Sequence, residues 1–260
     1  MPKFAANLTM LFTEFDFLDR FAAARAAGFD GVELLFPYAY DAQQIGERLR
    51  RHRLELVLHN MPPGDWDGGE RGIACDPRRV EEFRRGVERA RDFASALRVP
   101  RLHCMAGIAP PGVATERARA TLIDNLRHAA DRLRPHGIQL LIEPINTRDI
   151  PGYFLTGSRQ ALDLIADCGR DNIFLQYDVY HMQRMEGELS ETIRANLPRI
   201  GHIQIADTPG RHEPGSGEIN YAYLFALLDR LGYQGWVGCE YLPRQGTLAG
   251  LGWRAALAAP

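Results

Sequence analysis

The sequence predicts a single (β/α)8 barrel of the α/β class, and three observations lead there. Its 260 residues lie close to the ~250 of one such barrel. Eight short apolar runs alternate with longer stretches of helical period. No linker, low-complexity segment or shift in composition divides the chain, so residues 1–260 read as one domain. A doubly wound sheet is the competing arrangement, but the first run lacks the GxGxxG turn that would favour it.

In chain order, the expected strands lie within 4–11 (FAANLTML), 31–36 (GVELLF), 54–60 (LELVLHN), 101–107 (RLHCMAG), 139–146 (QLLIEPIN), 173–180 (IFLQYDVY), 200–207 (IGHIQIAD) and 235–241 (GWVGCEY). Several are apolar nearly throughout, as strands covered on both faces should be. The clearest helix, 78–98, places Val80, Phe83, Val87, Ala90, Ala94 and Leu97 at steps of three and four, with Phe93 beside them. Its arginines alternate with Glu81, Glu82 and Glu88, which marks a solvated face. Asp76-Pro77 reads as a cap followed by a proline at the first helical position, and Asp41 with Gln44 as a capping box. Gly28, Gly137 and Gly232 close helices where a left-handed turn is wanted. Two connections, 61–77 and 208–219, exceed what a barrel needs. Each follows a strand, so both are expected over the active-site mouth.

Composition removes several functions. A net charge of −2 speaks against a nucleic-acid partner, and no apolar run is long enough for a membrane span. Lys3 is the only lysine and precedes the first strand. Schiff-base, pyridoxal-phosphate and Walker-loop chemistries, which need a lysine in the pocket, cannot be built here. Cys75, Cys104, Cys168 and Cys239 are widely spaced, which points to reduced thiols. The start, Met1-Pro2-Lys3-Phe4, has no signal-peptide pattern. A cytoplasmic location follows as the expectation. Exposed apolar helix residues are compatible with a homo-oligomer.

Charged residues that end apolar strands need an explanation, because barrel strands point their C-terminal ends at the active face. Glu143, Asp178 and Glu240 do so on strands five, six and eight, and Gln204 stands on strand seven. Three carboxylates brought together repel unless a cation or protons intervene. With an amide oxygen beside them, they suit a hard divalent ion, Mg²⁺ or Mn²⁺. His181, His59 and His103 are candidate substrate contacts, and His202 a supporting partner of Gln204. Arg71 and Arg211 are alternative anchors for a substrate carboxylate, with Glu70, Glu213 and Glu218 near in sequence to hold them.

The runs FAANLTMLFTE, HNMPPGDWDGGERGIAC, IEPIN, QYDVYHMQRMEGEL, HIQIAD, HEPGSGEINY and GWVGCEY resemble the hydroxypyruvate isomerase family, within the xylose-isomerase-like barrels, from about residue 2 to residue 253. The resemblance implies isomerisation of hydroxypyruvate to tartronate semialdehyde without nicotinamide, flavin or pyridoxal phosphate. It implies that Glu143 and Glu240 transfer the proton, and that Glu143, Asp178, Gln204 and Glu240 hold the metal. The 2-oxo-tetronate isomerases of the same family share the opening and closing runs, whereas IEPIN and DVYHMQRMEGEL lean toward the hydroxypyruvate members. A small hydroxy-oxo acid is the expected substrate in either case. A hydride shift is the alternative to proton transfer. A metal-dependent barrel endonuclease and a non-catalytic sugar-acid binder are the competing functions.

Overall fold

A computed structural model describes residues 1–257. Eight parallel strands close into a barrel in sequence order: β1 Lys3–Asn7, β2 Gly31–Leu34, β3 Glu55–Asn60, β4 Arg101–His103, β5 Gln139–Ile142, β6 Ile173–Asp178, β7 Ile200–Ile205 and β8 Trp236–Cys239. The helices are α1 Arg20–Ala26, α2 Ala42–His52, α3 Val80–Leu97, α4 Thr115–Leu133, α5 Ser158–Cys168, α6 Val179–Met185, α7 Leu189–Asn196, α8 Tyr221–Arg230, α9 Thr247–Gly250 and α10 Trp253–Ala256. Every expected strand is present, though most are shorter than the apolar runs that announced them. The surplus residues continue into the mouth loops.

Two apolar layers hold the barrel. The larger lies between strands and helices, where Phe83, Val87, Ala90 and Ala94 of α3 are buried as their spacing requires. The smaller fills the barrel interior with Ala5, Val57, Leu58 and Leu141, against which Phe174 and Trp236 pack. Burying a leucine such as Leu141 contributes about 2–3 kcal/mol.

Punctuation follows the sequence with one exception. Asp41 and Gln44 form the capping box at α2, and Gly28, Gly137 and Gly232 all take positive φ. Asp76-Pro77 does not start α3, which begins at Val80 behind Arg79. Asp76 instead accepts from the Arg78 backbone N–H at 2.9 Å and from its guanidinium. The bidentate ion pair stabilises a separate turn ahead of the helix.

The long loop after β3 is seated on the loop after β4. Gly72, at φ +103, lies so close to Met105 that an added Cβ would stand 2.5 Å from its carbonyl oxygen. The Cys75 N–H donates to the Ala106 carbonyl at 2.9 Å. The approach fixes one wall of the mouth.

A bulge alters the facing of β3. Val32 pairs with Leu56 but Glu33 with Leu58, so Val57 is skipped. Beyond the bulge, His59 aligns with Leu102 and Asn60 with His103. His59 therefore turns to the helix side of the wall, edge-on to Phe93 of α3 and to Tyr38. Unbroken alternation from Val57 would have aimed it inward.

Candidate active site

Register brings the inward polar residues together at the C-terminal end of the barrel. Asp178 aligns with Gln204, Gln204 with Gly238, and Asn7 with Glu33. Glu143 and Glu240 each stand one residue beyond their strand. Asp178 also caps α6, accepting from the N–H groups of Tyr180 at 2.7 Å and His181 at 3.3 Å. Strand end and helix start share one carboxylate, which fixes its place.

The cluster is continuous. Gln176 donates from Nε2 to Glu143 Oε2 at 3.1 Å and to Gln204 Oε1 at 2.5 Å. Gln204 Nε2 donates to Glu240 and, at 2.9 Å, to Glu33 Oε1. The Arg211 Nη2 lies 2.7 Å from Glu240 Oε1 and 3.8 Å from Asp178 Oδ2. His103 Nε2 is 3.5 Å from Glu143 Oε2, and His181 Nε2 is 3.8 Å from Glu143 Oε1 and 3.7 Å from Asp178 Oδ2.

Burial governs the charges. It pushes the carboxyl of Glu143 well above the ordinary range, with Glu240 and Asp178 adding to the effect. Asp178 rises to about 6, mainly through burial and against the pull of Arg211. Glu240 rises to about 8, again through burial, with Arg211 opposing. The same desolvation lowers His103 to about 3 and His181 well below its usual value, so both rings are neutral near pH 7.

A divalent cation fits these donors. Glu143 Oε1 and Asp178 Oδ2 are buried without a hydrogen-bond partner, and one atom from each of Glu143, Asp178 and His181 falls within 4.8 Å of the others. A positive ion would satisfy both oxygens and relieve their repulsion. Gln204 lies in the cluster as expected, but its carbonyl oxygen accepts from Gln176 while its NH2 faces Glu33 and Glu240. An amide between two carboxylates turns its donors toward them.

The structure brings together Glu143, Asp178, Gln204, Glu240, His103, His181 and Arg211, and sets two other sequence candidates apart. His59 lies behind the barrel wall, as described above. Arg71 stacks 4.0 Å over the Trp66 ring and donates to the carbonyls of Trp66 and Glu70, with no ion pair among the described residues. The acids near the two arginines do not hold them: Glu70 pairs with Arg79, Glu213 accepts from the Arg244 N–H, and Glu218 accepts from Gln183. Glu240 and Asp178 hold Arg211 instead.

Sequence reasoning passed over Glu33. It is fully buried on β2 and accepts from Asn7 at 3.1 Å, His202 at 2.8 Å and Gln204. An added Cβ on Gly238 would stand 2.3 Å from Glu33 Oε2, so the facing strand must be bare there. A glutamate inside the apolar run GVELLF was the available signal.

A closed parallel barrel with acids and histidines gathered at one mouth defines a barrel enzyme whose active site lies at the C-terminal ends of its strands. The chain belongs to the xylose isomerase-like TIM-barrel family, whose sequence profile matches residues 21–257. It is 55% identical to the hydroxypyruvate isomerase of Escherichia coli (strain K12), over 97% of this chain and 98% of that protein. It is 49% identical to a 2-oxo-tetronate isomerase of Cupriavidus necator, over 97% of each. A crystal structure from Brucella melitensis, described as an AP endonuclease of family 2, superposes with a TM-score of 0.96 at 50% identity, covering 98% of this chain and 99% of that one. The Escherichia coli and Cupriavidus relatives are both named as isomerases.

Proposed function

We propose that the protein is a hydroxypyruvate isomerase that exchanges the carbonyl and hydroxyl of its substrate by proton transfer through an enediolate. The observation that carries this reading is the pair of buried glutamates just beyond β5 and β8, linked through Gln176 and Gln204, whose carboxyl groups burial raises above the ordinary range. One must give up a proton as the other accepts it, and such a pair serves only if both can change state at working pH. Arg211, 2.7 Å from Glu240, opposes the burial that raises this carboxyl group and makes Glu240 the readier of the two to ionise, so Glu240 is assigned as the base and Glu143 as the acid.

In this scheme Glu240 takes a proton from C3, and the C–H electron pair forms the C2=C3 double bond while the C2 oxygen becomes anionic. Glu143 delivers a proton to C2 from the other side. The C3 hydroxyl proton passes to the C2 oxygen, leaving an aldehyde at C3 and a hydroxyl at C2. Arg211 supplies positive charge for the acid group, and the neutral His181 and His103 lie beside Glu143. Glu143 and Asp178, with Glu240 and Gln204 adjacent, would hold Mg²⁺ or Mn²⁺, which would act as a Lewis acid on the substrate carbonyl.

The 2-oxo-tetronate reading rests on the Cupriavidus relative. A coupled assay comparing the three- and four-carbon acids, with and without chelator, decides between them. Faster turnover of the four-carbon acid would replace the first reading. Cleavage of abasic-site DNA would support the endonuclease reading, which the net charge of −2 disfavours. The four free buried cysteines accord with a reducing cytoplasm, where we place the enzyme.

A further inference from the structure

The loop after β5 fixes which nitrogen of His181 carries the proton. Asn146 is buried, and its carboxamide orientation is set by the backbone: Oδ1 accepts from the N–H groups of Arg148 at 3.1 Å and Asp149 at 2.9 Å. Its Nδ2 must therefore face the other way, where it meets Asp149 Oδ2 at 3.1 Å and His181 Nδ1 at 2.6 Å. The Asn146 backbone N–H points to the same Nδ1 at 3.4 Å, and a backbone N–H can only donate. Asp149 is itself held, by Tyr180 Oη at 2.9 Å and Arg184 at 2.6 Å. Two donors on Nδ1 leave a neutral ring only one place for its hydrogen.

We infer that Asn146 is a positioning residue that holds His181 as the Nε2–H tautomer, so that the ring enters the site as a hydrogen-bond donor. Its Nε2–H stands near 3.7–3.8 Å from Asp178 and Glu143, beyond hydrogen-bond reach of either. The ring is thus available to a substrate oxygen between them. A protonated Nε2 has no lone pair for a cation, so of the three grouped residues Glu143, Asp178 and His181 only the two carboxylates remain as ligands. The tautomer stands on geometry alone; its catalytic consequence rests on the isomerase reading.

Long-range ¹H–¹⁵N correlation on the full chain labelled with ¹⁵N-histidine tests this, with His181 assigned by its loss in His181→Gln. Protonated Nε2 and bare Nδ1 are expected in the wild type, and a proton on Nδ1 overturns the inference. In Asn146→Asp the carboxylate can only accept, so the tautomer should invert and kcat should fall ~10²-fold, the loss expected for one misplaced donor. A folded Asn146→Asp with an unchanged tautomer also overturns it. Should that variant not fold, the wild-type spectrum alone decides. If the tautomer is as stated but hydroxypyruvate is not turned over, the positioning role stands and the isomerase reading falls.

Discussion

In Glu240→Gln, a carboxyl group that burial holds up to about 8 is replaced by an amide of nearly the same shape. A folded-state value above the ordinary 4.5 means that the fold favours the protonated acid. Stability from this group is therefore full below pH 4.5 and lost as pH rises toward 8. At pH 7 the loss is at most about 3 kcal/mol, from roughly 2.5 pH units at 1.36 kcal/mol each. The amide removes that penalty but has one acceptor oxygen where the carboxyl group accepts from both Arg211 and Gln204, and the lost contact offsets about 1–2 kcal/mol. The variant should thus be more stable than wild type by about 1–2 kcal/mol at pH 7, and no more stable at pH 4.5. Its turnover should fall by ~10²-fold or more. Urea unfolding with chelator present, at both pH values, reads the first effect, and the coupled assay reads the second. A variant less stable than wild type at pH 7, or a difference that does not change with pH, would refute the reasoning.

Other perturbations have equally definite outcomes. Burial lowers His59 to about 4, below its unfolded value, so the neutral ring's contribution is lost as pH falls from ~6.5 toward 4. His59→Leu should remove up to about 3 kcal/mol of that acid-side slope, measured as the wild-type minus variant difference at pH 7 and pH 4.5. Gly238→Ala must push Glu33 away from His202 and Gln204; kcat should drop about tenfold, while an unchanged kcat would show that Glu33 has no hold on the site. Leu141→Ala should lower unfolding free energy by about 2–5 kcal/mol through an interior cavity, read by urea titration. Chelator should abolish turnover, with Mg²⁺ or Mn²⁺ restoring it in the assay.

Periodicity made the barrel legible because strands buried on both faces must be apolar, and strand-end acids break that rule where the mouth lies. Glu143, Asp178 and Glu240 stood out for this reason, and the structure places all three in one cluster. What escaped depends on details below the pattern. The bulge at Val57 turned His59 outward, since one skipped residue exchanges the faces of a strand. Asp76 resembled a helix cap, but Arg78 supplies it with a stronger partner. Glu33 was concealed within an apolar run, and of its partners Asn7 stands on the neighbouring strand while His202 and Gln204 lie on a distant one that only the closed barrel brings near. Asn146 carried no sequence signal of its tie to His181, because the contact depends on a turn that folds one side chain back.

The most direct measurement follows the hydrogen itself. With hydroxypyruvate turned over in deuterated water, NMR of the product over the earliest turnovers reports what occupies C2. Proton transfer through Glu143 and Glu240 predicts deuterium from solvent at that carbon, and loss of the reaction in both glutamine variants. Hydrogen carried intact from C3 to C2, or undiminished turnover in either variant, would contradict the account.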